Sequence, residues 1–72
     1  MSALKKFGLR VRQLREARGW SQEQFAEAAD LHRTYVSGIE RGTRNPTLTV
    51  IIRLAAGLNI SPSKLLETAG GK

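Results

Sequence analysis

The chain has no cysteine, which excludes both a disulfide framework and a thiolate metal site. Histidine occurs once, at His32, and the carboxylates are scattered, so a metal centre would be short of ligands. Ser21 and Ser37 have no histidine base beside them, which argues against nucleophilic catalysis. Neither an enzyme nor a cofactor is expected. Long hydrophobic runs are missing too. No stretch approaches the roughly 20 apolar residues of a membrane span. The start, MSALKKFGLRVRQ, is broken by charge too often for a secretory signal. A cytoplasmic protein without a membrane partner is the default expectation. Acidic residues are also scarce: 6 Asp and Glu stand against 12 Lys and Arg, for a net charge of +6. Such a balance suits nucleic acid, an anionic membrane surface or an acidic protein as partner.

What is present is enough for a core. Apolar residues make up 40% of the 72, too many for a disordered tail. The length implies one domain, expected over residues 1–72 with its core at about 4–67 and a frayed tail at 68–72. In LKKFGLRVRQLREARG, Leu4, Phe7, Val11 and Leu14 recur at helical spacing, and Gly19 can end that helix. WSQEQFAEAAD starts a second helix, with Ser21 and Gln24 as a capping box and Phe25, Ala26 and Ala29 facing inward. Trp20, just before the cap, reads as a hydrophobic staple to Phe25 or Ala26 rather than a platform for stacked bases. Asp30 falls at a tight turn, where it tolerates a left-handed backbone.

A third helix is expected from about His32 to Arg41, closed by Gly42, then a loop through TRNPT. The fourth, roughly 47–57, should bury Leu48, Ile51, Leu54, Ala55 and Leu58; it is apolar nearly all round, so more than one neighbour must cover it. ISPSKLLE gives a short fifth helix, with Ser61 as cap and Pro62 in the first turn. These elements make an all-α, five-helix bundle. Only about three residues separate helices two and three, a length that suits a helix-turn-helix.

The stretch LHRTYVSGIERGTRNP, residues 31–46, does not look built only for packing. Val36 and Ile39 are its aliphatic anchors. Arg33, Ser37 and Arg41 follow at spacing four on another side, with Thr34 and Gly38 beside them. An α-helix fits the DNA major groove, where Arg can donate two hydrogen bonds to guanine and Thr can touch a thymine methyl. Gly38 would remove bulk and let the helix or its neighbours approach closely. A plain solvated face with basic residues remains the alternative at this point.

The longer string SQEQFAEAADLHRTYVSGIERGTRNPTLTVIIRLAAGLNISPSKLL resembles the Cro/C1-type helix-turn-helix family, whose fold is lambda-repressor-like. The resemblance spans roughly residues 10–67. It rests on Gln22, Ala26, Val36, IERG at 39–42, RNPTL at 44–48 and the ending LAAGLNISPSKLL. More narrowly, RTYVSGIERGTRNP is similar to controller proteins of restriction–modification systems, small dimeric regulators without a second domain. The resemblance implies that Arg33, Thr34, Tyr35 and Ser37 face DNA bases, with Tyr35 at the edge. Gln22, Arg41, Arg44 and Asn45 would grip phosphates, and Arg15 and Glu40 would pair to tie helix one to helix three. Two positions depart from the family pattern. Asp30 stands where glycine is common, and His32 stands where Ser, Thr or Asp usually caps helix three, a poor cap by preference.

The implied function is sequence-specific binding of a double-stranded, two-fold symmetric operator by a homodimer that regulates transcription. Leu58, Ile60, Leu65 and Leu66 are candidates for the dimer surface, though some must serve the core. Glu23, Glu27 and Asp30 gather half of the acidic residues; they serve solubility and the helix dipole, or form a patch that touches RNA polymerase. Lys5, Lys6, Arg10 and Arg12 are a solvated face or a flank against DNA. Rival readings are an antitoxin or phage-type repressor and, from another class, a small protein-interaction module. Salt dependence separates the last from DNA binding, which weakens steeply with salt.

Overall fold

The computed structural model describes residues 2–67; the expected tail at 68–72 lies outside the described residues. Among the described residues five helices follow one another: α1 (Ala3–Ala17), α2 (Gln22–Ala29), α3 (Arg33–Arg41), α4 (Leu48–Leu58) and α5 (Pro62–Leu66). Each begins on a side-chain cap that accepts a backbone N–H left free in the first turn. Ser2 accepts from Lys5 N at 3.2 Å and Thr47 from Val50 N at 3.3 Å. Ser61 accepts from Lys64 N at 3.1 Å, with Pro62 just inside. Ser21 accepts from Gln24 N at 3.1 Å while its own N–H donates to Gln24 Oε1 at 2.8 Å, a complete capping box. His32, unpromising by residue type, also caps its helix through Nδ1, which accepts from Thr34 N at 3.1 Å. An imidazole nitrogen without a proton is an acceptor like any hydroxyl oxygen, so helix three starts at Arg33.

The first four helices end alike. Gly19, Asp30, Gly42 and Asn59 adopt positive φ of 71°, 56°, 73° and 58°. In each case two backbone hydrogen bonds close a Schellman motif, as in Gly42 N to Ile39 O and Thr43 N to Gly38 O, both 3.0 Å. Trp20, Leu31 and Ile60, each directly after its left-handed residue, pack against the core. Trp20 also stacks on Phe25, ring centroids 6.1 Å apart.

Helix α1 packs on α3, α2 packs on α3 and α4, and α5 closes against α4 and α1. The core is Phe7, Val11, Phe25, Ala26, Ala29, Val36, Ile39, Leu54, Ala55, Leu58 and Leu65. The α1–α3 contact is close enough to need glycine. A Cβ on Gly8 would run into the carbonyl oxygens of Ile39 and Glu40, the latter at 2.7 Å. Backbone cannot yield there as a side chain could.

Helix α4 corrects the expected burial. Leu54, Ala55 and Leu58 are buried and Ile51 is half-buried, but Leu48 is 69% exposed. Leu48 opens the helix, and its apolar stripe begins before the residues that the core covers. Ile52, one turn on, is 49% exposed.

Candidate nucleic-acid interface

The polar face of α3 depends on how the inner face is held. Arg15 reaches from α1 and is itself buried. Its Nε lies 2.7 Å from Glu40 Oε2 and its Nη2 lies 3.1 Å from Glu40 Oε1, a two-pronged pair. The third nitrogen, Nη1, donates to the Trp20 carbonyl at 2.6 Å. Glu40 Oε1 also accepts from Gln22 Nε2 at 3.1 Å. Helices α1, α2 and α3 therefore meet on one carboxylate, whose side chain is only 4% exposed. Hydrogen bonding to Glu40 raises the Arg15 pKa above its ordinary value, against the smaller opposing effect of burial.

Glu40 is the only acidic residue on α3 and it is turned inward. The outer face is left without a carboxylate of its own. Arg33, Thr34 and Arg41 are exposed there, and Ser37 and Tyr35 are half-buried. Ser37 Oγ accepts a hydrogen bond from Arg41 Nη1, so the serine points along the same side as the arginine. The loop adds Arg44 and Asn45, both exposed. Arg33 lies 4.0 Å from Glu23 of α2, but both side chains are largely in solvent and the pair holds Arg33 only weakly.

Several expected site residues lie elsewhere than supposed. Gln22 does not project freely toward a phosphate: one amide hydrogen is engaged by Glu40, leaving the other available. Gly38 does not face an open groove. It is buried, and what covers it is Arg44, whose Cγ would lie 2.8 Å from a Cβ at that position. The Arg44 guanidinium continues over the Tyr35 ring, 4.8 Å from its centroid. Sequence spacing could not show this, because Arg44 follows the helix in a loop without a fixed period.

Of the residues expected at a dimer surface, Leu58 and Leu65 are fully buried within the chain and unavailable to a partner. Both belong to the hydrophobic core, in a bundle where α5 closes against α4 and α1. Ile60 is half-buried against the core and Leu66 is 36% exposed. Among the described residues, the large exposed apolar side chains are Leu48, Ile52, Leu66 and Leu9. The acidic Glu23, Glu27 and Asp30 are all exposed, and the Asp30 carbonyl accepts from Arg53 at 3.4 Å. Lys5 is exposed, Lys6 and Arg10 are half-buried, and Arg12 is engaged with Glu16 at 3.1 Å. Among the described residues no group of acidic, His or Cys side chains could hold a metal ion. No helix there is long and apolar enough to cross a membrane.

Known proteins share this fold. A helix-turn-helix family model matches residues 11–65. Control protein C.BamHI of Bacillus amyloliquefaciens is 48% identical over 62 residues, covering 85% of this chain and 76% of that one. Control protein C.SmaI of Serratia marcescens is 50% identical over 62 residues, covering 86% and 74%. The crystal structure of the restriction–modification controller protein C.AhdI from Aeromonas hydrophila matches with a TM-score of 0.83 at 52% identity, over 86% of this chain and 94% of that one.

Proposed function

The chain belongs to the helix-turn-helix family, and from that premise we propose that it is a sequence-specific DNA-binding regulator of transcription, acting as a homodimeric controller protein of a restriction–modification system. The observation that carries this reading is the outer face of α3. It has Arg33, Thr34, Ser37 and Arg41 outward, and its one carboxylate is turned inward and neutralised by Arg15. A helix of that kind enters the major groove without repelling phosphate. Arg33 and Thr34 reach base edges, while Arg41, Arg44 and Asn45 meet the backbone beside it. Gln22, at the start of α2, offers its remaining amide hydrogen to a phosphate where the helix dipole also favours an anion.

One such helix reads few bases, and two-fold pairing doubles the site. Leu48 and Ile52, one turn apart on α4, with Leu66 of α5, supply the apolar surface for a second copy. Leu58 and Leu65 do not, since the core uses them. Paired recognition helices would sit about 34–36 Å apart and read half-sites about one turn of DNA apart.

Selection of bound duplexes from a random pool, followed by footprinting across a salt series, tests the proposal. A two-fold symmetric consensus with affinity that falls steeply with salt is expected. Absence of any selected duplex, or affinity for a protein partner indifferent to salt, would sink it in favour of a protein-interaction module.

A further inference from the structure

The Arg44 side chain belongs to the loop after α3 but lies back across the helix it has left. Its aliphatic stem covers Gly38, and its guanidinium rests on the Tyr35 ring, 4.8 Å from the centroid. The ring is itself held, half-buried against the core. On a helical wheel, position 38 lies beside Thr34 and Arg41, so the stem runs along the flank of the reading face. We propose that Gly38 and Tyr35 form a seat that pre-orders Arg44 for DNA, so that both act as positioning residues through Arg44. This deepens the DNA-binding reading above and rests on it.

The physical reasons are two. An unrestrained arginine loses much rotamer freedom when it docks, and that loss weakens binding. Stacking on an aromatic face restrains the guanidinium beforehand without using its hydrogen-bond donors, which remain free for phosphate or a base edge. The seat also requires the absence of a side chain at position 38. A Cβ there would lie 2.8 Å from Arg44 Cγ and 3.1 Å from its Cδ. The obstacle is a flexible side chain, not backbone, so a methyl group would push Arg44 off rather than distort α3.

Three substitutions separate this role from its rivals. Gly38→Ala should leave thermal stability equal or higher, since alanine is the better helix former, and yet weaken DNA binding. Tyr35→Leu should weaken it similarly, by about two- to fivefold, the ordinary worth of an exposed cation–π contact. Tyr35→Phe keeps the ring and should bind almost like the parent. In an Arg44→Ala background, neither Gly38→Ala nor Tyr35→Leu should cost anything further. NMR gives a readout without DNA: the Arg44 Cγ and Cδ protons should be shifted upfield by the Tyr35 ring in the parent and in Tyr35→Phe, and return to random-coil positions in Gly38→Ala and Tyr35→Leu. If Tyr35→Phe loses as much affinity as Tyr35→Leu, or if the losses add to that of Arg44→Ala, the tyrosine contacts DNA itself and the seat is wrong. A parent that selects a duplex but shows Arg44 protons at random-coil positions overturns the seat alone. A parent that selects no duplex overturns the function, and with it the purpose assigned to the seat.

Discussion

Helices α3 and α4 differ in a way that apolar count would misjudge. Helix α3 has two strong aliphatic anchors, Val36 and Ile39, and both are fully buried, at 0% and 1% exposure. Helix α4 is apolar along most of its length, yet Leu48 and Ile52 stand 69% and 49% exposed. Each helix packs chiefly on two neighbours, α3 on α1 and α2, and α4 on α2 and α5. Helix α3 is the more closely covered of the two and buries both of its aliphatic residues, whereas the richer and less covered α4 has a surplus. What each leaves outside is therefore chemically opposite. The outside of α3 is cationic and hydrogen-bonding, fit for a phosphate-lined groove; the outside of α4 is aliphatic, fit for another copy of the same chain.

The sharpest way to break that contrast is to disturb what keeps α3 turned the right way. Glu40→Gln leaves Arg15 buried with an uncompensated charge and removes half of a two-pronged pair. Loss of one partner in a buried pair costs about 3–5 kcal/mol, so a large fall in the thermal midpoint is expected. The pH dependence has a definite sign. Arg15 binds its proton more tightly folded than unfolded. Its contribution is fully present below the unfolded value and is lost only as pH rises through the still higher folded value. The penalty of Glu40→Gln measured by thermal unfolding should thus be constant on going from neutral to mildly alkaline buffer. A penalty that vanishes there would show that the pair does not act through the charged guanidinium.

The second test sets the two sides of α4 against each other. Leu54→Ala empties fully buried space and should cost about 2–5 kcal/mol. Leu48→Ser, although it also truncates a leucine, should change the stability of the single chain by less than about 0.5 kcal/mol. Combined with Ile52→Ser it should instead convert a dimer to a monomer in analytical ultracentrifugation. Equal sedimentation of the parent and the double variant would leave the exposed leucine and isoleucine without the assigned partner.

The same contrast explains what residues alone can tell. Local signals are legible because their partners lie within a few residues: Ser21 with Gln24, Ser61 before Pro62, Asp30 at the left-handed turn, and the stripe of Phe7 and Val11. Periodicity gives a side of a helix but not the neighbour opposite it. That is why the pattern puts Leu48 inside, and why it offers Leu58 and Leu65 for a surface although the core takes them. Asn59 as the left-handed end of α4 is missed by the apolar pattern, although asparagine before an apolar residue is a usable signal. The placement of Gln22 on Glu40 and of Arg44 on Tyr35 depends on contacts across elements, which no spacing encodes.

On the outer face of α3, position should decide the kind of loss. Arg33 is exposed near the N-terminal end of the helix, the end that meets base edges in this class of fold. Arg33→Ala is expected to cost about 1–3 kcal/mol of binding and to relax preference at one position per half-site. Arg44→Ala should weaken all sequences alike and reduce the salt slope by about one ion. Affinities for a panel of single-base operator variants distinguish the two. A uniform loss across the panel for Arg33→Ala would remove it from the base readers.

The smallest expected effect concerns how α3 begins. Its cap is an imidazole: His32 Nδ1 holds the Thr34 N–H at 3.1 Å, where α1, α2, α4 and α5 use a serine or threonine hydroxyl. A serine at this position has a shorter side chain, loses less rotamer freedom on fixing, and ranks among the preferred caps. His32→Ser should therefore stabilise the chain, by up to about 1 kcal/mol. The exposed imidazole makes no other hydrogen bond among the described residues, so little packing is lost. DNA affinity supplies the second half of the test. If His32 serves only as a cap, His32→Ser raises the thermal midpoint and leaves operator binding unchanged. If the midpoint rises while affinity falls, the ring contributes to the complex. The start of α3 would then belong to the DNA-facing surface, and a residue that caps poorly would have been kept for what it contacts.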